Sequence, residues 1–432
     1  MQQEPMTLNQ GQSDAADAFF KFLFSKDTEI IISGPGGVGN TFLMGHLIDE
    51  IMPRYQSTCK LMGIPAEYDQ VVMTATTNKA AEVLSLSTGR PTETIHSFMN
   101  LKVTDDFETG ESRITKTGNW QVHFRQIIFI DECSMIDSNL RNLLLEGTQS
   151  CKIIYVGDHC QLAPIKEPIS PIYRSDLVFR ELTEPMRNAD QPALMNLCQQ
   201  LRETVETKEF YPIQLVPGVI DLLEDEEMEA EIFNHFQTQT TTSRILAYTN
   251  RRVIDLNNYI RGIRGLGSSY KQGEMLINNS AIRMKTGMLS VEDEIEITHQ
   301  SQHTEMLCIQ GDIELQVRYS DLRTSRGELY TNVPVPEDRE HFLALIKWFQ
   351  KQKNWNRYFH LKNTYPDLRP RDAATVHKAQ GSTYDTVFID LGNISTCHNP
   401  DLVARMLYVA VSRAKTRVIF FGELAAKYGG VI

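Results

Sequence analysis

Ile30-Ile31-Ile32-Ser33-Gly34-Pro35-Gly36-Gly37-Val38-Gly39-Asn40-Thr41 is the stretch whose reading decides the fold. Its first four residues read as a strand buried on both faces, because β-branched apolar residues follow one another without alternation. A glycine-rich turn in GxxxxG spacing follows, and then a helical stretch from Thr41 to Met52. Strand, glycine turn and helix in that order form a phosphate-binding loop. Gly34, Gly36, Gly37 and Gly39, with Val38 among them, let backbone N–H groups converge on phosphate oxygens, and the helix start adds the positive end of its dipole. Thr41 suits a hydroxyl contact to Mg²⁺. ATP and Mg²⁺ are the cofactors this loop predicts.

Asn40 stands where such loops carry a lysine. Asn donates a hydrogen bond but has no charge and a shorter reach. The β- and γ-phosphates therefore lose a stabilising cation, most acutely in the transition state. By analogy with the loss of one oxyanion donor, the cost is on the order of 3 kcal/mol, or a factor of at least ~100 in rate.

Downstream, Ile127-Ile128-Phe129-Ile130 forms a second apolar strand that ends in Asp131-Glu132. Asp131 suits direct or water-mediated Mg²⁺ contact, and Glu132 suits polarisation of an attacking water. Further β-type runs are Glu29–Ser33, Gln70–Thr74, Gln126–Ile130, Lys152–Val156, Arg244–Tyr248, Thr386–Leu391 and Arg417–Phe421. Helix-like stretches such as Asn78–Ser85 and Ser138–Glu146 lie between them. That alternation predicts an α/β fold with parallel sheets, whose ligands bind at the carboxyl ends of the strands. Two stretches break the rhythm. Leu101–Gln121 is polar and hairpin-like, with a turn at Thr109-Gly110. Ile263–Arg371 is irregular, with β-like runs at Glu294–Thr298 and Ile313–Tyr319 and an aromatic-rich piece from Trp348 to Tyr365.

At 432 residues the chain exceeds one ordinary core. The seven cysteines are scattered and form no CxxC pair, which predicts free thiols. No apolar run long enough for a membrane span is present, and the first residues lack a signal-peptide pattern, so a cytoplasmic location is expected. The net charge of −12 argues against a uniformly basic nucleic-acid binder but leaves room for a local basic channel. The acidic stretch Asp221–Glu231 reads as a solvated helix face.

Four longer patterns occur in one order: Asp131-Glu132-Cys133-Ser134-Met135, Val156-Gly157-Asp158-His159-Cys160-Gln161-Leu162-Ala163-Pro164, Thr375-Val376-His377-Lys378-Ala379-Gln380-Gly381, and Leu407-Tyr408-Val409-Ala410-Val411-Ser412-Arg413-Ala414-Lys415. They resemble the DExx box, the GDxxQLxP motif, motif V and motif VI of superfamily 1 helicases. The TxHKxQG form of motif V is similar to that of RecD and of the Dda-like phage helicases, a resemblance that implies superfamily 1B and 5′→3′ movement on single-stranded DNA. Asn354-Trp355-Asn356 is similar to a segment of the inserted domain of Dda-like enzymes.

The resemblance implies two RecA-like cores. Residues 1–98 and 122–180 would form the first, and 181–262 and 372–432 the second. A hairpin insertion would span 99–121 and an SH3-like barrel 263–371. It implies that Gln12 reads adenine, that Gln161 senses the γ-phosphate, that Arg187 and Arg413 reach the same phosphate from the second core, and that Gly381 lies at the nucleotide. For single-stranded DNA it implies contacts from Thr77, Asn78 and Lys79, from Thr94, His96 and Phe98, from Asn250, and from Thr375, His377 and Lys378. Hydroxyls, amides and lysines suit phosphates, and an aromatic ring suits stacking on a base. Phe107 would be the apolar tip that separates strands of a forked duplex. A single-strand DNA-binding protein is the partner implied. Two other readings stay open on sequence alone: a catalytically silent, nucleotide-gated single-strand binder, and an RNA-directed relative. The intact set Asp131, Glu132, Gln161, Arg187 and Arg413 favours the enzyme.

Overall fold

A computed structural model describes residues 7–164, 167–184, 191–284 and 286–432. The first sheet has six parallel strands in the order Val178–Glu181, Glu29–Ser33, Lys152–Gly157, Gln126–Asp131, Gln70–Ala75 and Thr92–Thr94. Its central strands are almost wholly apolar because both faces are covered. Ile30, Ile32, Ile127 and Phe129 pack with Phe19, Phe22, Leu43 and Leu47 on one face. Ile31, Ile128 and Ile130 pack with Leu140, Leu144 and Ile172 on the other. The alternation that sorts these residues between two cores is the twofold period of the strand.

The helical run after the glycine turn starts at Asn40 and continues past Met52 to Met62. Residues Leu47–Ile51 form a π-turn, with the Met52 N–H bonded to the Leu47 carbonyl. Pro53 accounts for it, since proline has no N–H to close an α-turn back to Asp49.

The second sheet has five parallel strands in the order Ile220–Leu222, Ala414–Phe421, Tyr384–Asp390, Ser243–Ala247 and Ala373–Thr375. The two helices Pro192–Thr207 and Pro400–Val411 share its core. Cys160 and Leu162, from the loop that leaves the first sheet after Gly157, are buried in that same second core. The two sheets are thus joined by packed side chains beside the strand ends where ligands are expected.

Between Asn278 and Leu368 the chain departs from the α/β rhythm. An antiparallel sheet runs Glu305–Gln310, Ile313–Thr324, Glu294–Gln300, Met275–Asn278 and Leu368–Pro370, and Leu329–Pro336 also pairs with Ile313–Thr324. The aromatic-rich piece within it is helical: Arg339–Lys351 and Trp355–Thr364. The local signals were caps. Asp338 accepts from the Glu340 and His341 N–H groups, and Asn354 accepts from Arg357. Phe342 and Phe349, seven residues apart on one helix face, bury against Leu315 and Val317. Leu101–Asp105 and Ser112–Lys116 pair as an antiparallel hairpin. Among the described residues no helix is long and apolar enough to cross a membrane.

Candidate active site

Parallel register sets the site. Ser33 lies beside Gly157, and Ile130 beside Tyr155. The loops that begin at Gly34, Asp131 and Asp158 therefore leave three adjacent strands on one edge. The Gly34 N–H donates to the Gly157 carbonyl at 2.9 Å. A Cβ on Gly34 would stand 2.7 Å from Val38 Cγ2 and 2.9 Å from the Leu182 carbonyl oxygen, so only glycine fits this entry to the turn. Gly37 and Gly39 have φ of 99° and 84°, a region that favours glycine. Thr41 is half-buried in the first helical turn.

Asn40 turns back on its own loop. Its Nδ2 donates to the Gly34 carbonyl at 3.2 Å, and its Oδ1 is buried with no partner among the described residues. The amide thus braces the turn rather than extending over it as a lysine would. Gln12 is fully buried. Its Nε2 donates to the Val38 carbonyl at 3.0 Å, and its Oε1 accepts from the Asn9 N–H in a capping box. The predicted adenine reader is, in this structure, also a strut between the first helix and the glycine turn.

Asp131 and Glu132 crowd the mouth of the site. Burial, and then the neighbouring Glu132, push the Asp131 carboxyl up to about 7. Burial also raises Glu132, while Arg413 and a hydrogen bond from Gln380 oppose that rise. Glu132 sits at φ 54°, a left-handed backbone that costs a non-glycine residue of order 1 kcal/mol. The strain is held by the Thr76 hydroxyl, which donates to the Glu132 carbonyl at 3.1 Å.

Two groups from the second sheet close over this edge. Arg413 is 4% exposed and is held by the Val409 and Ser382 carbonyls and the Ser412 hydroxyl, at 3.2, 3.3 and 2.9 Å. Its Nη2 lies 3.8 Å from where a Cβ on Gly36 would be. Gln380 Nε2 approaches Glu132 Oε2 at 3.4 Å and donates to Ser134 Oγ at 3.2 Å. Gly381, at φ 79°, lies next to it, against Ala80. Gln161 is 5% exposed and its Oε1 has no partner among the described residues. A buried, unsatisfied amide oxygen of this kind marks a place for a ligand or water. Arg187 lies outside the described residues.

Behind Gln161 is a buried ionic knot. Asp158, fully buried, accepts from Arg202 Nη1 at 2.6 Å and from the Tyr408 hydroxyl at 2.5 Å. Arg405 Nη1 donates to the His159 and Gln161 carbonyls, both at 2.6 Å. Three residues of the second core thereby fix the loop that carries Gln161.

The predicted DNA residues are placed in different ways. Thr77 caps the helix Asn78–Thr88, Thr94 caps Ile95–Phe98, and Thr375 caps the turn Val376–Ala379, so each hydroxyl also serves the backbone. Asn250 is exposed at the start of its helix, and His96 and His377 are half-buried with burial lowering both imidazoles. Lys79 and Lys378 are engaged by carboxylates: Glu82 at 3.1 Å for Lys79, and Glu292 at 3.2 Å for Lys378. Phe98 requires a correction. It is 7% exposed, packed with Ile95 and Met99 and stacked on His123 at 4.1 Å, so its faces are not offered to a base. Phe107, at the hairpin tip, is half exposed and meets Phe359 edge-on at 5.0 Å.

The chain matches two family models, an AAA domain over residues 7–213 and a UvrD-like helicase C-terminal domain over residues 372–421. It is 26% identical to an ATP-dependent DNA helicase, dda, of Enterobacteria phage T4, across 96% of this chain and 99% of that one. In sequence the chain is thus similar to the Dda-like helicases, as its four motifs imply. An uncharacterized protein, R530, of Acanthamoeba polyphaga mimivirus is 21% identical over 76% of this chain and 82% of its own. Among solved structures, a Bacteroides Pif1 helicase in complex with ADP-AlF3 and ssDNA superposes with a TM-score of 0.54 at 12% identity, covering 99% of this chain and 95% of its own. A structure titled for forked-duplex unwinding by two coordinating Pif1 helicases gives 0.51 at 13% identity, covering 99% and 94%. These two share the fold of this chain.

Several residues of this site are not singled out by sequence. Gln380, Asp158 and Tyr408 lie within quoted motifs, so the signal was present and their partners were not. Arg202 and Arg405 carried no signal, since an arginine on a helix reads as a surface charge until its partner is known.

Proposed function

We propose that the chain is an ATP-dependent translocase that moves 5′→3′ on single-stranded DNA and opens forked duplexes, with hydrolysis slowed by Asn40. The observation that carries the reading is the approach of Arg413 and Gln380, from the second sheet, to Gly36 and Glu132 of the first. A nucleotide bound at the turn would then be sensed by both cores. Residues 1–98 with 122–180 and 181–262 with 372–432 are the two motor cores in this reading, with a strand-separating hairpin at 99–121 and an SH3-like domain at 263–371. Likeness to the phage helicase and to the Pif1 fold supports DNA as the polymer, and a single-strand DNA-binding protein as partner rests on the family alone.

The residues present fit Mg²⁺. The Asp131 and Glu132 carboxylates and the Thr41 hydroxyl are hard oxygen donors, and burial, which disfavours the charge of both carboxylates, is what a bound cation would offset. Asp131 and Thr41 would hold the ion, which would neutralise phosphate charge when bound. Glu132 accepts a proton from the water that attacks the γ-phosphorus, the bond from that phosphorus to the β,γ-bridging oxygen breaks, and ADP departs. Arg413 and Gln380 favour the ionised Glu132 that this requires. Closure of the second core therefore readies the base as it brings Arg413 to the phosphates. Thr375 to Lys378 lie on the turn that ends at Gln380, which puts the strand contacts and the amide that touches the base in one segment.

The test is Asn40→Lys, assayed for ATP hydrolysis with and without single-stranded DNA beside the parent chain. A DNA-stimulated rate at least ~100-fold above the parent is expected. Equal rates, or rapid hydrolysis by the parent, would refute the role given to position 40. Preferential unwinding of a duplex with a 3′ tail over one with a 5′ tail would refute the polarity.

A further inference from the structure

One ionic chain crosses the junction of the three parts of the molecule. Lys378, on the turn after Thr375, pairs with Glu292 Oε1 at 3.2 Å and also contacts the Asn279 amide oxygen. Glu292 Oε2 accepts from Arg369 Nη2 at 2.6 Å. Two residues on, Glu294 Oε1 accepts from Arg371 Nη2 at 3.3 Å and lies 4.0 Å from Lys79 Nζ. Lys79 also pairs with Glu82, whose other oxygen accepts from the Ser325 hydroxyl at 3.2 Å. Glu292, Glu294 and Ser325 belong to the antiparallel sheet and its turns, Lys79 and Glu82 to the first core, and Lys378 to the second.

This junction is incompletely satisfied. Arg369 and Arg371 are 5% and 6% exposed, yet Arg369 Nε and Nη1 and Arg371 Nε have no partner among the described residues. Arg244, 4% exposed, adds a third guanidinium with an idle Nε, close enough to disfavour the charge of the other two. The carboxylates leave these donors idle, and Glu292 Oε1 itself makes no hydrogen bond, so the fit is one of geometry; a phosphodiester carries the same charge on two oxygens spread tetrahedrally about phosphorus, with ester and sugar oxygens beside them. Glu292 reaches its place with φ 65°, a backbone that a non-glycine side chain adopts only when its surroundings hold it there.

We propose that Glu292 and Glu294 occupy, in the DNA-free molecule, the places of two backbone phosphates of a single DNA strand, which enters by displacing this acidic edge. Lys79, Lys378, Arg369 and Arg371 pass from carboxylate to phosphate, and the antiparallel sheet moves off the junction as they do. The two arginines are thereby assigned as strand contacts alongside the two lysines. The inference rests on the reading of Lys79 and Lys378 as DNA contacts, and the experiment separates the two.

Affinity of the full chain for a fluorescently labelled oligothymidylate is measured by anisotropy at low and high KCl, with a thermal melt of each variant. Glu292→Gln and Glu294→Gln each remove a competitor, so each is expected to tighten binding about fivefold at low salt. The gain shrinks as salt rises, because salt already loosens the internal pairs. It disappears when Lys378→Gln is combined with Glu292→Gln. If Glu292→Gln melts early for want of an Arg369 partner, Glu294→Gln carries the measurement. Unchanged or weaker binding by well-folded Glu292→Gln and Glu294→Gln, with Lys378→Gln weakening it, overturns the acidic edge and leaves the DNA site standing. Unchanged binding by Lys378→Gln overturns both.

Discussion

Asp131→Asn should stabilise the ligand-free fold, and only above a definite pH. Moving the Asp131 carboxyl from an ordinary 3.8 to about 7 disfavours its ionisation by about 4 kcal/mol, at roughly 1.4 kcal/mol for each tenfold change. Asp131 keeps some contact with solvent at the mouth of the site, so screening leaves about 2 kcal/mol as the expected effect. The sign follows from proton binding. Between pH 3.8 and 7 the folded chain holds a proton here that the unfolded chain has lost, so stability falls as pH rises through that window. Asn cannot ionise, yet its side-chain oxygen can still accept from the Glu132 N–H, a bond of 2.9 Å in the parent. Urea unfolding at a series of pH values, without nucleotide or Mg²⁺, is the assay. The two proteins should coincide near pH 4, and Asp131→Asn should lead by about 2 kcal/mol at pH 8. Added Mg²⁺ should stabilise the parent and narrow the gap. A parent whose stability does not fall relative to Asp131→Asn across that window would show that burial and Glu132 do not disfavour the Asp131 charge, and the argument for a cation there would go with it.

Tyr408→Phe removes the hydroxyl that donates to fully buried Asp158 at 2.5 Å, leaving a charge short of one partner. A loss of about 1.5–3 kcal/mol in chemical unfolding is expected, and a change below about 0.5 kcal/mol would mean that Arg202 and the Cys160 N–H satisfy the carboxylate without it. Gly110→Ala should free the hairpin tip: Gly110 has φ 75°, and a Cβ there would come within 2.3 Å of the Trp355 ring. Left-handed alanine and a displaced indole together cost about 2–4 kcal/mol, read as a red shift of tryptophan emission, and unshifted emission would show that the tip is not docked on Trp355.

The legible part of this protein is what strands and glycines impose locally. Ile30–Ser33 into Gly34–Gly39, and Ile127–Ile130 into Asp131, were readable because a buried parallel strand is apolar throughout and its ligand-bearing loop begins where the apolar run stops. The hairpin Leu101–Asp105 with Ser112–Lys116 and the antiparallel sheet from Met275 to Pro370 fall where the sequence breaks that rhythm. The helices Arg339–Lys351 and Trp355–Thr364 are the part missed: Phe342, Leu345, Ile346 and Phe349 stand at helical spacing, but the caps at Asp338 and Asn354 look like ordinary loop residues until the helix is seen.

Sequence by itself determined the phosphate loop, the paired carboxylates, the order of the helicase motifs and the missing charge at Asn40, because each depends on residues adjacent in the chain. Tertiary structure decided the rest. It put Phe98 in the core against His123, withdrew Asn40 onto the Gly34 carbonyl, locked Asp158 between Arg202 and Tyr408, and set Glu292 against Lys378 and Glu294 against Lys79. Most of these contacts join residues more than forty positions apart. Charge and burial there depend on which elements meet, and chain order alone does not carry that information.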